Sequence, residues 1–415
     1  MMNWTKNKLI DVAEIVMGQS PNSSFYNSEN VGMPFLQGCA EFGKTYPNTQ
    51  VSTSQIKKIG KQNSILFSVR APVGKINWAD TDYCIGRGLS AIRGTKVEQN
   101  YLYQYFLYLK ERGGYSSQGS TFDSINFDEL SKVEIQNPEE KPEQTHIAEI
   151  LSTADAAITQ TEALIAKYQC IKTGLMQDLL TRGIDTHGNI RSKATHKFVV
   201  KNGIEVPEEW EVISIEEFAS KSKYAIVDGP FGSNLKIIHY RPSGVQVIQS
   251  GFVTDNKFIP KEYLFVDQAK LIQEIRSKVE TGDIIMAKIG ANCGTCAIMP
   301  DKHPASIIAG NCLKITVGSN NSNRYLEILL HYLYANGKLD NIKSTTAQPA
   351  ISMAQLKIFK IPRPSKDEQL RIVTALGVLE KTIEETEAEL SKLHSLKTGL
   401  MQDLLSGRVR VKIKD

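Results

Sequence analysis

A pair of closely spaced cysteines is the strongest metal-binding signal in this chain. Cys293-x-x-Cys296, followed by His303 and Cys312, offers thiols and an imidazole of the kinds that bind zinc. Zinc sites usually combine two close pairs of ligands, and the second pair is missing here. The corresponding stretch of the first half, 73–76, has no cysteine. We therefore expect small buried thiols and no metal.

Two further strings resemble fragments of catalytic sites. The string 137–140, Asn-Pro-Glu-Glu, lacks the second proline and the aromatic residue of an Asn/Asp-Pro-Pro-aromatic loop that holds a target amine. The string 267–270, Asp-Gln-Ala-Lys, lacks a suitably placed second carboxylate for a nuclease. The sequence has no phosphate-binding Gly-x-x-x-x-Gly-Lys-Ser/Thr loop, and its seven histidines are not clustered. These absences predict no catalytic residue, no metal site and no cofactor bound by this chain.

Basic and neutral polar side chains near glycine-rich turns form the remaining candidate site. Side chains of these types can approach a phosphate or the edge of a base. The candidates of the first half are Gln19, Ser20, Lys57, Lys58, Lys61, Arg70, Lys75, Arg87, Ser120 and Thr121. The candidates of the second half are Ser233, Asn234, Lys236, Arg241, Lys288, Asn292 and Gln348. For any one of them the competing interpretation is an ordinary solvated side chain, so the sets carry more weight than their members.

Composition limits the class of protein. The chain has 415 residues with 41% hydrophobic and 23% charged residues, which is typical of a globular chain with at least two cores. No apolar run reaches the roughly 20 residues that span a bilayer, and six cysteines are too few for a disulfide framework. We expect a cytoplasmic protein with reduced thiols.

The net charge of +4 is unevenly distributed along the chain. Residues 1–138 carry +2, 139–190 carry −4, 191–364 carry +6 and 365–415 carry 0. Two basic blocks therefore alternate with an acidic block and a neutral one. This alternation favours a polyanionic ligand for the basic blocks, although solvated lysines would also explain a modest surplus.

An internal repeat identifies the elements that must position these side chains. The nonapeptide KTGLMQDLL occupies 172–180 and again 397–405, an offset of 225 residues. The same offset aligns Glu143-Gln144 with Glu368-Gln369. It also aligns apolar residues that recur mostly every three, four or seven positions, as on one face of a helix. This predicted seam consists of Ile147, Leu151, Ile158, Ile165 and Tyr168 in the first copy and Ile372, Leu376, Ile383, Leu390 and Leu393 in the second.

Each copy therefore predicts a long helix that packs against another helix. The stretch from Gln144 to Leu180 would extend roughly 55 Å at about 1.5 Å per residue. Gly174 and Gly399 predict a break or kink near the end of each helix, because glycine inside a helix costs about 1 kcal/mol relative to alanine. A seam of this kind is more often structural than functional.

The block before each helix lacks helical periodicity over most of its length, and the two blocks are weakly alike. The aligned segments are Val16–Pro21 with Asp228–Ser233, Phe35–Gln37 with Val247–Gln249, Ser64–Ser68 with Asp283–Ala287, and Tyr101–Lys110 with Tyr325–Tyr334. The predicted organisation is domain one at 1–138, a helix at 139–183, a linker at 184–209, domain two at 210–364, a helix at 365–408 and a tail at 409–415. We predict two α+β domains in tandem, each followed by a long helix.

The alternation of domain and helix predicts how the helices pair. Helix one leaves domain one and arrives at domain two, and helix two must bury the same seam, so an antiparallel, coiled-coil-like pair with pseudo-two-fold, circular symmetry is the simplest solution. Two similar basic domains at a fixed separation suit duplex DNA, whose backbone is itself two-fold symmetric and polyanionic. Each domain would read one half-site, and the helices would set the gap.

The sequence also resembles the specificity subunit of type I restriction-modification enzymes. The resemblance rests on the tandem plan, on KTGLMQDLL with the residues TRGID and HGNI that follow it, on Pro207–Val212, and on Asp228–Ser233. It spans essentially the whole chain and is strong in the helices and at 170–212. Domain one departs from the pattern, because Asn3-Trp4 replaces the Pro-x-x-Trp that opens domain two.

The resemblance implies a non-catalytic subunit whose two target-recognition domains read a bipartite, asymmetric DNA site. It implies partners that are two adenine-N6 methyltransferase subunits and ATP-driven restriction subunits, in a system of phage defence. S-adenosylmethionine, ATP and Mg²⁺ are implied for those partners. Two alternatives stay open: a scaffold whose helices bind proteins while its domains read no DNA sequence, and a self-contained restriction or methylation enzyme.

Overall fold

The computed structural model describes residues 4–113, 124–254, 256–344 and 348–411. The chain divides into two compact units. Unit one contains 1–164 and 386–415, and unit two contains 165–385. Each unit thus holds one predicted domain, the first part of the long helix that follows it, and the last part of the other long helix. The domain boundaries given above stay predictions.

Unit one is built on two separate sheets whose side chains pack in one hydrophobic cluster. The antiparallel four-stranded sheet has the order Ala13–Met17, Leu89–Gly94, Ile65–Ser68, Ile76–Trp78. The five-stranded sheet has the order Tyr26–Asn27, Ser52–Thr53, Met33–Leu36, Tyr83–Ile85, Ile59–Gly60, and the third and fourth of these strands are parallel. A separate pair, Trp4–Lys8 with Glu134–Pro138, brings the start of domain one beside its end. The shorter helices are Leu9–Val12, Gln99–Glu111 and Phe127–Ser131.

The strand Ile65–Ser68 is buried on both faces, and this explains its continuous apolar sequence. Successive side chains of a strand point to opposite faces. Ile65 and Phe67 pack in the cluster that contains helix Gln99–Glu111, whereas Leu66 packs with residues of the five-stranded sheet. The four-stranded sheet is therefore the middle layer of this unit.

Unit two repeats this architecture. Its four-stranded sheet has the order Ile226–Asp228, Cys312–Ile315, Ile284–Ala287, Cys296–Ile298. Its five-stranded sheet has the order Tyr240–Arg241, Leu264–Val266, Val245–Ile248, Ser306–Ile308, Lys278–Val279, again with the third and fourth strands parallel. The remaining strand pairs are Glu211–Ser214 with Lys360–Arg363, Phe198–Lys201 with Ile204–Pro207, and Val253–Thr254 with Lys257–Phe258. The shorter helices are Ile215–Phe218, Gln268–Gln273, Asn323–Ala335 and Met353–Ile358.

The shared topology confirms the weak similarity of the two blocks, with one correction. The sequence alignment that places Gly18 opposite Pro230 is one residue out. The amide nitrogen of Gly18 donates to Leu89 O, and that of Gly229 donates to Cys312 O, at the first residue of the equivalent strand in each unit. Gly18 and Gly229 are therefore equivalent. The sequence missed this register because a glycine-rich turn has no periodicity.

The long helices are Lys141–Thr181 and Lys366–Leu405. Both continue as helix through their interior glycines, so the predicted break at Gly174 and Gly399 is wrong. Packing of the seam outweighs the cost of one glycine in a helix of about 40 residues. The helices end before Gly183 and Gly407, which adopt the left-handed conformation with φ of 72° and 75°.

Candidate nucleic-acid interface and its supporting helices

The predicted seam residues are all buried or half-buried. Ile147, Leu151, Ile158 and Ile165 of the first helix and Ile372, Leu376 and Ile383 of the second are buried. Tyr168, Leu390 and Leu393 are half-buried. Within unit one, Ile147 and Leu151 join the core of domain one, and within unit two, Ile372 and Leu376 join the core of domain two. The start of each long helix is thus part of the domain that precedes it.

The repeated nonapeptide forms the same contacts in each unit. In unit one Lys397 Nζ lies 2.5 Å from Asp155 Oδ1, and in unit two Lys172 Nζ lies 2.8 Å from Glu380 Oε1. The two lysines are equivalent in the repeat, and so are the two acids. Apolar residues of the nonapeptide lie in the domain cores, namely Leu179 and Leu180 in unit two and Met401, Leu404 and Leu405 in unit one.

These ion pairs, with a second pair in each unit, give the direction of packing. In unit one Glu143 pairs with Arg410, and Asp155 pairs with Lys397. Residue numbers therefore increase along the first segment while the numbers of their partners decrease along the second. In unit two Lys172 pairs with Glu380, and Arg191, beyond the first helix, pairs with Glu368. The helix segments in each unit are therefore antiparallel, as predicted.

A buried glutamate in the first turn of each long helix binds the segment that follows the other helix. Arg410 Nε and Nη2 donate to Glu143 Oε1 and Oε2 at 2.7 and 2.6 Å. Arg191 Nη1 and Nη2 donate to Glu368 Oε1 and Oε2, the latter at 3.2 Å. Trp210 Nε1 also donates to Glu368 Oε2 at 3.1 Å. Two-pronged arginine contacts are the strongest carboxylate pairs, so each arginine fixes a chain segment to a domain.

The glutamine after each glutamate joins its helix to the domain. Gln144 Oε1 accepts from the backbone nitrogen of Glu98 at 2.7 Å, and Gln369 Oε1 accepts from that of Ser322 at 2.8 Å. Their Nε2 atoms donate to Pro138 O at 2.7 Å and to Pro364 O at 2.9 Å. In the sequence, the repeat of Glu143-Gln144 as Glu368-Gln369 was the signal for these contacts, but the sequence alone gave the pair no role.

Glu380 is ionised in its ion-pair network. Burial opposes its charge, but the hydrogen bond from Lys172 and the positive charges of Arg324 and Lys172 outweigh burial, so the pKa of Glu380 lies below its usual value. Arg324 Nη2 lies 2.5 Å from Glu380 Oε2. Among the described residues, this network connects the long helices of unit two to helix Asn323–Ala335.

Ser20 and Arg87 converge in domain one on an open recess of about 490 Å³. The backbone nitrogen of Arg87 donates to Ser20 Oγ at 3.1 Å, and Ser20 Oγ donates to Gln37 Oε1 at 3.1 Å. Gln19 is held beside them by its backbone nitrogen, which donates to Ile85 O at 2.9 Å. Sequence reasoning aligned Gln37 with Gln249 but did not include either as a candidate.

The other basic candidates of domain one are dispersed around this recess. Arg70 lies with Arg87 on a second recess of about 450 Å³. Lys75 lies across the same hairpin, where its carbonyl accepts from Ser68 N at 2.8 Å. Lys57 and Lys58 precede the edge strand Ile59–Gly60, beside the end of strand Tyr83–Ile85 that leads to Arg87, whereas Lys61 lies at its other end. Ser120 and Thr121 lie outside the described residues.

The candidates of domain two form a less positive site. Asn292 and Gln348 line a recess of about 300 Å³ with Asn311. Lys288 Nζ lies 2.6 Å from Asp228 Oδ2 and 4.6 Å from the ring centre of Phe231. Ser233 and Asn234 belong to the 3-10 helix Gly232–Asn234, and Lys236 is exposed and is not among the residues that line this recess. Arg241 is also outside it and pairs with Asp267 at 3.1 Å.

The cysteines of domain two are buried and protonated. Cys293 Sγ donates to Lys288 O at 3.1 Å, and burial raises the pKa of Cys293, Cys296 and Cys312. Metal binding requires thiolates, which burial disfavours. Among the residues that the structure describes, no three histidine, cysteine or acidic side chains are placed to share a metal ion.

The other two strings have structural roles. Asp267 Oδ1 accepts from the backbone nitrogen of Lys270 at 2.8 Å and so caps a helix, while Lys270 Nζ pairs with Glu274 at 3.0 Å. Asn137 and Pro138 end a strand, and Pro138 O accepts from Gln144. In the described part of the chain, no helix is both long and apolar enough to cross a membrane.

Comparison with known proteins gives consistent matches. A family model described as type I restriction modification DNA specificity domain matches residues 1–167 and 207–395. The type I restriction enzyme MjaX specificity subunit of Methanocaldococcus jannaschii is 40% identical over 182 residues, which are 43% of this chain and 41% of the relative. The MjaVIII specificity subunit of the same organism is 26% identical over 274 residues, 65% of this chain and 61% of the relative. The matches thus span about two fifths and three fifths of these relatives' lengths.

Two solved structures share the fold over nearly the whole chain. The type I restriction-modification system S subunit from M. genitalium aligns with a TM-score of 0.58 and 17% identity, covering 100% of this chain and 97% of that one. A chain from a study of complex assembly and conformational transition of the type I R-M system aligns with a TM-score of 0.61 and 16% identity, covering 97% of both chains. At this identity the likeness concerns the fold alone.

Proposed function

The chain belongs to the type I restriction-modification DNA specificity family, and from this premise we propose that it is the DNA-recognition subunit of such a complex. Each domain reads one half of a bipartite, asymmetric site. The supporting observation is that the two units share one topology, yet the loops at equivalent strand ends carry different side chains. A common scaffold with different reading residues is what two unlike half-sites require.

The long helices serve, in this proposal, as the spacer between half-sites and as the docking surface for two adenine-N6 methyltransferase subunits. Restriction subunits driven by ATP join that assembly in the cytoplasm. S-adenosylmethionine, ATP and Mg²⁺ belong to the partner subunits, and this chain contributes no catalytic residue. Its own chemistry is hydrogen bonding and charge complementarity toward a duplex.

Mapping methylated adenines genome-wide tests this proposal, in cells with and without the gene for this chain. The expected result is one bipartite motif that is methylated only when the chain is present. Methylation that does not depend on the chain would contradict the proposal.

The alternatives give different results in vitro. A pure scaffold would retain its DNA affinity and the salt dependence of that affinity after Lys57, Lys58, Arg70 and Arg87 are changed to alanine. A self-contained enzyme would methylate or cut DNA when the chain is purified alone. The proposed subunit loses affinity in the first experiment and modifies no DNA in the second.

A further inference from the structure

The reading recesses of the two domains occupy the same place in the fold. In unit one the parallel strands Met33–Leu36 and Tyr83–Ile85 end together, and the loops after them line the recess that contains Arg87. In unit two the parallel strands Val245–Ile248 and Ser306–Ile308 end together, and the loops after them line the recess that contains Asn311. The side chains of the two recesses can therefore be compared position by position.

Arg87 projects from a loop whose backbone is held firmly. The backbone nitrogens of Gly86 and Gly88 donate to Leu36 O at 2.7 Å and to Gln37 O at 3.2 Å. A Cβ on Gly88 would lie 2.7 Å from Gln37 O, so no larger residue fits there. Arg87 itself is exposed and, within the described part of the chain, its guanidinium makes no ion pair or hydrogen bond. It is therefore an available cation on a rigid support.

Domain two has no cation at this position. The residue equivalent to Arg87 is Gly310, because Ala309 N donates to Ile248 O as Gly86 N donates to Leu36 O. The ring of Phe231 covers Gly310, where a Cβ would lie 2.7 Å from the ring carbon Cδ1. An arginine therefore does not fit in domain two without moving this ring.

Two cations of domain two are already neutralised, whereas the exposed Lys261 makes no ion pair with the described residues, and its Nζ lies 3.9 Å from the position of a Cβ on Gly251, which lines the recess. Lys288 and Arg276 both bind Asp228, at 2.6 and 2.7 Å. The recess is lined instead by the amide side chains of Asn292, Asn311 and Gln348. Asn311 Oδ1 accepts from Ser250 N at 3.3 Å, whereas the exposed amide of Asn292 makes no hydrogen bond to the described residues. Asn292 is thus the more available amide.

These two side chains select different bases. An arginine fork donates to O6 and N7 of guanine, whereas an asparagine amide accepts from N6 and donates to N7 of adenine. We propose that Arg87 reads a guanine in the half-site of domain one and that Asn292 reads an adenine in the half-site of domain two. This assignment rests on the proposed function and adds to it the bases and the residues.

Selection from a pool of random 40-base-pair duplexes tests the assignment. The full-length chain is incubated with the pool, and bound duplexes are sequenced. The wild-type chain should enrich a bipartite motif. Arg87→Ala should lose preference for guanine at one position of one half-site by about tenfold or more, and Asn292→Ala should do the same for an adenine in the other half-site. Arg87→Lys keeps the charge but not the fork, and should also lose guanine preference.

Matched controls separate readout from charge and stability. Lys96→Ala removes the same charge from an exposed site beyond the far end of strand Leu89–Gly94, and Asn320→Ala removes an exposed amide beyond the far end of the equivalent strand Cys312–Ile315. Both should keep the wild-type motif, and all variants should keep the wild-type melting temperature. Arg87→Ala should not perturb the fold, because the Arg87 side chain makes no hydrogen bond within the described structure.

Two outcomes overturn the inference in distinguishable ways. If the wild-type chain enriches no motif, the proposed function itself fails. If it enriches a motif that Arg87→Ala and Asn292→Ala leave unchanged in base preference, the function stands and the assignment fails. A uniform loss of affinity in Arg87→Ala, with the same bases preferred, would place Arg87 on a phosphate and also overturn the assignment.

Discussion

Single residues decide where charge is buried in this protein. Glu143 and Glu368 are buried carboxylates four residues before the first seam residue of each long helix, and each is neutralised by an arginine far away in sequence. A buried charge is tolerated only when it is paired and hydrogen-bonded. Each arginine therefore fixes its own chain segment: Arg410 holds the segment after the second helix against Glu143, and Arg191 holds the segment after the first helix against Glu368.

Breaking the buried Arg191–Glu368 ion pair should strongly lower the free energy of unfolding. Arg191→Ala leaves the buried carboxylate of Glu368 without its cation, and we expect a loss of about 3 kcal/mol in the free energy of unfolding. Urea denaturation followed by circular dichroism measures this loss. Lys193→Ala breaks the exposed pair with Glu205 and should cost under about 1 kcal/mol. Equal losses in both variants would refute a special role for the buried pair.

The ion pairs of Glu380 should make stability sensitive to acid. Its pKa is lowered in the folded chain, so its ionised form contributes stability that is complete above the usual value of 4.5 and is lost as the pH falls through the lowered pKa. Glu380→Gln should therefore lose less stability than the wild type between pH 6 and pH 3, measured by melting temperature. Glu384→Gln, an exposed change on the same helix, should follow the wild-type curve.

At the scale of elements, the two long helices make equivalent contacts in the two units. Each begins as part of the domain before it and ends in the core of the unit that holds the other domain. The lysine and apolar residues of KTGLMQDLL form equivalent contacts in both units, so the identity of the two nonapeptides follows from one contact pattern made twice.

The interior glycines of the helices should be replaceable with a gain in stability. A Cβ on Gly174 or Gly399 would meet no atom within 4 Å, so Gly174→Ala and Gly399→Ala should each stabilise the chain by about 0.5–1 kcal/mol. Thermal unfolding measures the gain. Gly183→Ala is the opposite case, because its φ is positive and a Cβ would collide with Trp210 and Glu368. It should be destabilising, and a gain there would contradict this account of the helix end.

Matched deletions should shorten the spacer while keeping the two equivalent pairs Asp155–Lys397 and Lys172–Glu380, although they remove Glu162 and its exposed pair with Lys44. Removing 161–167 and 386–392 takes one heptad from each helix, between Asp155 and Lys172 on the first and between Glu380 and Lys397 on the second. All four charged residues are retained with their seam positions in phase. We expect a shorter gap between unchanged half-sites in the mapped methylation motif. An unchanged gap with altered half-sites would refute the spacer role.

At the scale of the whole molecule, two units of one topology carry different reading surfaces. The first surface presents an available arginine, and the second is lined by amide side chains, near which Lys288 is neutralised by Asp228. This difference explains how one duplicated fold supports an asymmetric site. The uneven charge along the sequence is consistent with the same division, although Arg241, Arg276 and Lys288 of the more basic domain two are paired internally.

Exchange of one domain should change one half of the recognised site. Replacing 210–364 with the corresponding domain of another family member should give a methylation motif with one new half-site, one old half-site and the original gap. The reason is that each recess is lined by residues of one unit only. Genome-wide mapping of methylated adenines measures the result. Simultaneous change of both halves would show that the domains do not read independently.

The sequence by itself determined the duplicated plan, the two long helices with their seam, and the family. These depend on local information: a helical period, an identical nonapeptide and the order of short apolar runs are all visible along the chain. The same periodicity placed Ile147, Leu151, Ile372 and Leu376 correctly in a buried seam. The low helix propensity of glycine wrongly predicted a break at Gly174 and Gly399, because packing along the whole helix outweighs local propensity.

Only the tertiary structure decided which charges meet and which remain available. Arg191 reaches Glu368 across 177 residues, and Lys397 reaches Asp155 across 242, and no spacing rule predicts contacts at such separations. The candidate cations looked alike in the sequence. Folding pairs Lys288 with Asp228 but leaves Arg87 exposed on a rigid loop, because the partner of a side chain is set by how strands and loops pack in space.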